Sequence, residues 1–131
     1  MAASLIQSEG EAHRSALRVL SDRFLERLSN EGVGFRVNGD RQCRHPGSLS
    51  IELIGVDAES LLMSLQPKIC ASTGSACNSG TIQSSYVLRA IGVSEERAAS
   101  CVRFSLGRFS DESQVDEAAK LIADKIRSCL I

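Results

Sequence analysis

Residues 48–53 read Ser-Leu-Ser-Ile-Glu-Leu, and this alternation of polar and aliphatic side chains predicts a β-strand with one buried face. The same period of two recurs in residues 101–106, Cys-Val-Arg-Phe-Ser-Leu. Shorter strands are predicted at residues 35–37, which precede a turn at residues 38–40, and at residues 68–72. Each of the two longer strands is apolar on one face only, so they should belong to a sheet that something else covers on that face.

Helices are the obvious cover, because apolar residues recur at steps of three and four in several segments. Helices are predicted at residues 8–30, 57–66 and 86–91, in a short turn after Ser94, and from Ser110 onwards. We therefore expect a single α/β (α+β) domain over residues 1–131, built as a two-layer sandwich. Its sheet would be small, three- to four-stranded and mainly antiparallel, with helices on one face and the other face left uncovered.

Composition excludes several classes of function. The 131 residues carry a formal net charge of -1 and 43% hydrophobic residues, so no basic excess is present to bind nucleic acid. No apolar run approaches the roughly 18 residues of a membrane span. Five cysteines, an odd number, match no zinc or disulfide spacing and favour a reducing compartment. We expect a cytoplasmic protein that binds neither membranes nor metal.

Residues 73–84 are rich in glycine, alanine, serine and threonine, which predicts a mobile loop that cannot anchor a core. Cys77 lies in this loop, so its thiol should be accessible. From these residues alone it is either a reactive nucleophile or an incidental surface thiol. Gly74 and Gly80 could also face an anion, but the lysine of a nucleotide-binding loop is missing.

Other candidate residues have plainer interpretations. Cys70, Cys101 and Cys129 occur in apolar patterns and are predicted to be core residues. His45 is predicted to be a turn residue and His13 to be solvated on the first helix. Arg103 and Ser105 would lie on the uncovered sheet face, either in solvent or on a docking surface.

Four stretches together resemble the C-terminal small domain of group I (NifS/IscS-type) cysteine desulfurases, in the class V aminotransferase superfamily. They are Arg-Val-Asn-Gly-Asp at 36–40, Ser-Thr-Gly-Ser-Ala-Cys at 72–77, Ser-Tyr-Val-Leu-Arg-Ala-Ile-Gly at 85–92 and Val-Arg-Phe-Ser-Leu-Gly-Arg-Phe at 102–109. Their order and spacing match the family, and the resemblance covers nearly the whole chain. It implies the fold of the small domain of fold-type I enzymes that use pyridoxal phosphate.

The resemblance also implies a function. Such enzymes are homodimers that convert L-cysteine to L-alanine and hold the sulfur as a persulfide on the loop cysteine, here Cys77, before passing it to an acceptor protein, as in iron-sulfur cluster assembly. Arg103 matches the arginine that binds the substrate carboxylate. The cofactor lysine has no counterpart, because Lys68, Lys120 and Lys125 do not match its position. No cofactor is therefore expected on this chain alone.

Two interpretations stay open. The chain can be the sulfur-accepting part of a desulfurase whose cofactor-binding large domain is missing or is a separate chain. Alternatively, it can be a catalytically inactive module that relays sulfur or binds a scaffold partner. The first predicts sulfur transfer together with the large domain, and the second predicts persulfidation by a separate enzyme.

Overall fold

A computed structural model describes residues 2–73 and 85–129 of the chain. Within these ranges the chain forms helices and strands in the following order: α1 (Ala2–Asn30), β1 (Phe35–Val37), β2 (Ser48–Leu53), α2 (Ala58–Leu65), β3 (Ser72–Thr73), α3 (Tyr86–Ala90), α4 (Glu95–Ala98), β4 (Cys101–Ser105) and α5 (Glu112–Cys129).

The four strands form one sheet in the order β1-β2-β4-β3, and each neighbouring pair is antiparallel. β2 and β4 are the central strands, with Ile51 opposite Val102 and Ser50 opposite Arg103. The predicted fold class, a small antiparallel sheet with packed helices, is confirmed.

The apolar face of the sheet packs against α1, α2 and α5. Leu49, Ile51 and Leu53 of β2 are fully buried, as the alternation of residues 48–53 predicts. They share one core cluster with leucines of α1 and α2 and with Val115, Ala119 and Ile122 along α5, and Phe24 and Phe104 meet in it with ring centroids 5.0 Å apart. This layer holds the central strands in place.

Helix ends follow local capping chemistry. The Asp57 carboxylate accepts a hydrogen bond from the Ser60 backbone N–H at the start of α2, as predicted. α5 differs from prediction, since Asp111 rather than Ser110 caps it. The Asp111 carboxylate accepts from Gln114 N–H at 2.8 Å, while the Gln114 side chain accepts from Asp111 N–H at 3.2 Å. Ser110 instead accepts from the Gly107 N–H.

The second face of the sheet is only partly open, which corrects the prediction of a wholly uncovered face. Leu88, Val93 and Cys101 form a small buried cluster in which the short α3–α4 segment covers one end of β4. Arg103 and Ser105, further along the same strand, stay exposed. The face is therefore divided into a covered end and an open end.

Other boundaries and burial predictions also change. α1 starts at Ala2 rather than near residue 8. The strand predicted at residues 68–72 is shorter and lies later in the chain, since β3 contains only Ser72 and Thr73. Cys101 is buried as predicted, but Cys70 and Cys129 are exposed. Both exposed cysteines lie at the margins of the core layer, where an apolar sequence pattern continues beyond the residues that are actually covered.

Candidate functional site

Arg103 lies in the middle of β4 and points to the open end of the second sheet face. Its neighbours in the strand, Val102 and Phe104, are 1% and 6% exposed and hold the backbone against the core. Because successive side chains of a strand point to opposite faces, this burial forces the Arg103 side chain outwards. The position of Arg103 is thus decided by the two apolar residues beside it.

The surroundings of Arg103 are small and polar. Ser50 of β2 and Ser72 of β3 are its partners in the two adjacent strands, and Ser48 lies opposite Ser105. No side chain within residues 2–73 and 85–129 makes a hydrogen bond or ion pair with the Arg103 guanidinium. A guanidinium with free N–H groups on a surface of small side chains can bind a carboxylate through two parallel hydrogen bonds.

β3 connects this surface to the cysteine motif in the sequence. Ser72 and Thr73 pair with Arg103 and Val102, and the residues that follow Thr73 are those of the predicted loop. Cys77, Gly74 and Gly80 lie outside the described residues. The loop and the accessible thiol of Cys77 therefore remain predictions, although the strand that leads to them ends beside Arg103.

The covered end of the same face holds a buried ionic group that the sequence analysis missed. The Glu52 carboxylate, 5% exposed, accepts hydrogen bonds from Arg97 Nε at 2.9 Å and Arg97 Nη2 at 2.5 Å. Arg36 Nη1 lies 3.4 Å away on the other side. The hydrogen bonds from Arg97 lower the pKa of Glu52 against the opposing effect of burial. Glu52 therefore stays ionised and carries no exchangeable proton at neutral pH.

Cys101 lies next to this carboxylate, since it is the partner of Glu52 in the β2–β4 pair. Asn38 Nδ2 lies 3.2 Å from the Cys101 sulfur, and the thiol in turn lies 3.4 Å from the Arg97 carbonyl oxygen. Burial raises the pKa of Cys101, and a protonated thiol is a poor nucleophile. Cys101 is thus a structural residue. The sequence contained one indication of this ionic group: Glu52 is the only charged residue on a face of β2 that otherwise carries serines.

The lysines do not form a cofactor site within the described residues. Lys68 is exposed in the segment between α2 and β3, while Lys120 is exposed and Lys125 half-buried, both on α5. None of them is near Arg103 in the sheet register. The residues present therefore do not fit a Schiff base with pyridoxal phosphate, and no chemical step through that cofactor is assigned to this chain.

The remaining predicted residues behave as local structure. The His45 ring accepts a hydrogen bond from the Gly47 N–H through Nδ1 at 3.1 Å, which confirms its role in a turn. His13, predicted to be solvated, is instead half-buried on α1. Within the described ranges, no three His, Cys, Asp or Glu side chains are grouped so that they could hold a metal ion. No described helix is long and apolar enough to cross a membrane.

Comparison with known proteins decides the family. The model of the aminotransferase class-V family matches residues 2–118. The chain belongs to the class-V aminotransferase family.

Two curated relatives of the chain are named cysteine desulfurase IscS. The chain is 40% identical over 126 residues to the protein from Rickettsia rickettsii (strain Iowa) and 39% identical over 126 residues to that from Rickettsia africae (strain ESF-5). Each match covers 96% of this chain but 30% of the relative. The chain thus corresponds to under a third of the length of these cysteine desulfurases.

Solved structures agree on the fold. A NifS-like protein superposes with a TM-score of 0.77 at 22% identity, covering 95% of this chain and 31% of the other. A NifS-like protein from Rickettsia africae superposes with a TM-score of 0.71 at 21% identity, covering 87% of this chain and 29% of the other. The α/β arrangement of this class-V chain is therefore shared with NifS-like proteins.

Proposed function

We propose that this chain is the sulfur-accepting, C-terminal domain of a cysteine desulfurase. In the proposed reaction, L-cysteine and the Cys77 thiol become L-alanine and a Cys77 persulfide, so that one sulfur atom moves and the thiol proton stays on the persulfide. An acceptor thiol then takes the terminal sulfur and restores the Cys77 thiol. The acceptor would be a separate protein, for example one that assembles iron-sulfur clusters.

The observation that carries this proposal is the place of Arg103. Its guanidinium is exposed, has no described partner and lies opposite Ser72, which is only five residues before Cys77 in the chain. Five residues span at most about 18 Å, so Cys77 stays near the surface that would hold the substrate carboxylate. Binding the carboxylate at Arg103 would orient the cysteine substrate so that its sulfur is within reach of the Cys77 thiol.

The proposal assigns different roles to the other cysteines. Cys101 is buried and its pKa is raised, so it cannot compete for sulfur. Cys70 is exposed but lies on the approach to β3 rather than in the small-residue motif. Loop movement would carry Cys77 from the substrate to the acceptor, because the twelve residues 73–84 allow a reach on the order of 20 Å.

Pyridoxal phosphate would belong to the complete homodimeric enzyme, in a large domain that supplies the lysine. A relay module remains the second candidate, because none of the three lysines Lys68, Lys120 and Lys125 matches the position of the cofactor lysine. In that case a separate desulfurase would load Cys77. Both candidates use Cys77 as the sulfur-accepting residue. They differ in whether this chain works together with its own cofactor-binding large domain or receives sulfur from a separate desulfurase.

Intact mass spectrometry after incubation with L-cysteine and pyridoxal phosphate tests these roles. We expect one added sulfur atom on the chain when the cofactor-binding large domain is present, and none when it is absent. Sulfur supplied by a separate, complete desulfurase would instead favour the relay module. Cys77→Ser should abolish the gain, whereas Cys70→Ser, the matched control, should retain it. Sulfur on the Cys77→Ser variant would contradict the role of Cys77, and sulfur without added enzyme would contradict the incompleteness of the chain.

Arg103 needs its own test in the assembled enzyme, where the cofactor part is present. Arg103→Gln should raise KM for L-cysteine at least tenfold, since a charge-assisted double hydrogen bond is lost. Ser105→Ala, two residues along the same face, should leave KM unchanged. An unchanged KM in Arg103→Gln would exclude Arg103 as the carboxylate-binding residue.

A further inference from the structure

A second concave surface lies away from Arg103, between α1 and the segment that joins β1 to β2. Its cavity of about 310 Å³ is lined by three residues of α1 and four of the connecting segment. The lining residues are Arg18, Ser21, Asp22, Arg41, Gln42, Arg44 and Pro46. Three of these seven side chains are arginines, which no step of the proposed sulfur transfer uses.

The connecting segment is held firmly in place. The buried Ser21 hydroxyl donates a hydrogen bond to the Pro46 carbonyl, tying the segment to α1. The Leu106 N–H donates to the Gly47 carbonyl at 2.7 Å, tying it to the end of β4. A Cβ atom at Gly47 would lie 2.6 Å from the Leu106 carbonyl oxygen, so only glycine allows this approach. The cavity is therefore formed by a fixed backbone.

Arg44 is the unusual residue of this cavity. Its Nε and Nη1 atoms are buried and have no hydrogen-bond partner in the described chain. Burial lowers the pKa of Arg44, and the nearby charges of Arg41 and Arg18 add to this effect while Asp22 opposes it. Arginine nevertheless keeps its proton in proteins, so a cation with two unused donors remains at the site. Arg44 as a whole is half-buried, but leaving its buried donor atoms unpaired is costly, and an anion would reduce that cost.

The charges of the lining do not balance. Asp22 is the only acid among the seven residues, and it forms an ion pair with Arg41. Three guanidinium groups and one carboxylate leave two positive charges, from 3 − 1 = 2. A single carboxylate ligand would neutralise half of this excess, whereas a phosphate group carries close to two negative charges at neutral pH. Its oxygens also match the planar fork of a guanidinium.

We propose that the cavity between α1 and the β1–β2 segment binds a phosphate group, with the half-buried Arg44 as its anchor and Arg18 and Arg41 at the rim. The phosphate can be inorganic or the end of a small phosphate monoester, since the cavity is larger than a single phosphate ion. Binding here is separate from the Arg103 surface and does not depend on the proposed sulfur transfer.

Calorimetric titration of the purified chain with inorganic phosphate tests the site, with sodium chloride added to keep the ionic strength constant. Glycerol phosphate serves as the monoester. We expect saturable binding of phosphate, and tighter binding of the monoester if the rest of the cavity holds the ester part. Arg44→Gln should weaken binding at least tenfold, because two charge-assisted hydrogen bonds are lost. Circular dichroism would establish that the variant is folded.

Two further variants keep the test decisive. Arg18→Gln changes an exposed residue at the rim, should not disturb folding, and should weaken phosphate binding severalfold. Arg14→Gln removes the same charge one turn earlier on α1, outside the lining, and should leave binding unchanged. The proposal is wrong if the wild-type chain shows no saturable binding of either ligand. Equal weakening by Arg14→Gln and Arg18→Gln would also overturn it, because that result indicates general electrostatic attraction.

Discussion

The two faces of the sheet are built from the same strands but differ in what covers them. On the core face, Leu49, Ile51 and Leu53 are fully buried beneath three helices. On the second face, Glu52 and Cys101 are buried at one end, while Arg103 is exposed at the other. One face is therefore buried against the helices along its length, whereas the other changes from buried at one end to exposed at the other.

This gradient explains how the backbone at Arg103 can be held in place while its side chain stays accessible. The backbone of β4 is fixed by Val102 and Phe104 on the core face and by Cys101 at the covered end. Arg103 therefore needs no ion pair of its own to be positioned. Its donors therefore stay free in the described chain, as the proposed carboxylate-binding role requires.

The largest difference between the faces should appear on truncating a core residue. Ile51→Ala should lower the free energy of unfolding by about 2–4 kcal/mol, because a fully buried side chain is replaced by a cavity. Ser105→Ala on the open end should change it by less than about 0.5 kcal/mol. Denaturant unfolding measures both. Similar losses in the two variants would contradict the division between the faces.

The alkylation rates of an exposed and a buried cysteine test how well the covered end of the second face is protected. Cys70 should be alkylated at least about 100-fold faster than Cys101, since Cys101 is buried with a raised pKa and must wait for local opening. Timed iodoacetamide labelling followed by peptide mass spectrometry measures both rates. Comparable rates would show that the α3–α4 segment does not protect the covered end.

Protonation of Glu52 in acid should lower the free energy of unfolding. Its pKa is lowered in the folded chain from an ordinary value of 4.5, so its contribution is present above about pH 4.5 and is lost as the pH falls through the folded value. At neutral pH, Glu52→Gln should raise the unfolding equilibrium constant several-fold to tenfold. The effect is no larger because Arg97 and Arg36 are partly exposed, which screens their attraction to Glu52.

Comparing the pH profiles of wild type and Glu52→Gln separates the contribution of Glu52 from those of other carboxylates. Asp57 and Asp116 also have lowered pKa values, so the wild-type chain should lose stability in acid for several reasons. The difference between wild type and Glu52→Gln should be constant above about pH 5.5 and should shrink below pH 4.5. A difference that does not change with pH would mean that the Glu52 charge contributes nothing.

The smallest effect on stability should come from Arg103. Arg103→Gln should change the free energy of unfolding by less than about 0.5 kcal/mol, because the guanidinium is exposed and has no partner in the described chain. Thermal unfolding with Arg103→Lys as the charge-retaining control measures this. A loss comparable with that of Ile51→Ala would mean that Arg103 supports the fold rather than a ligand.

Sequence reasoning succeeded where a local pattern decides the outcome. The alternation in residues 48–53 placed the buried aliphatics correctly, and Asp57 capped α2 as its position before an amphipathic segment indicates. It failed for Cys70 and Cys129, because apolar neighbours in sequence do not show where the cover of other elements ends. It also missed Glu52, whose hydrogen-bond partner Arg97 is 45 residues away, and Arg44, which lines one cavity with α1 residues more than 20 positions earlier in the chain.

The amino-acid sequence by itself determined the elements, the buried face of each strand, the family resemblance and the outward direction of Arg103, since these follow from side-chain periodicity and short motifs. Only the tertiary structure decided which part of the second face is open, because α3 and α4 cover Cys101 but not Arg103. It alone brought the arginines of α1 and the β1–β2 segment together. Burial and charge crowding are properties of segments that meet in space, and no local pattern encodes them.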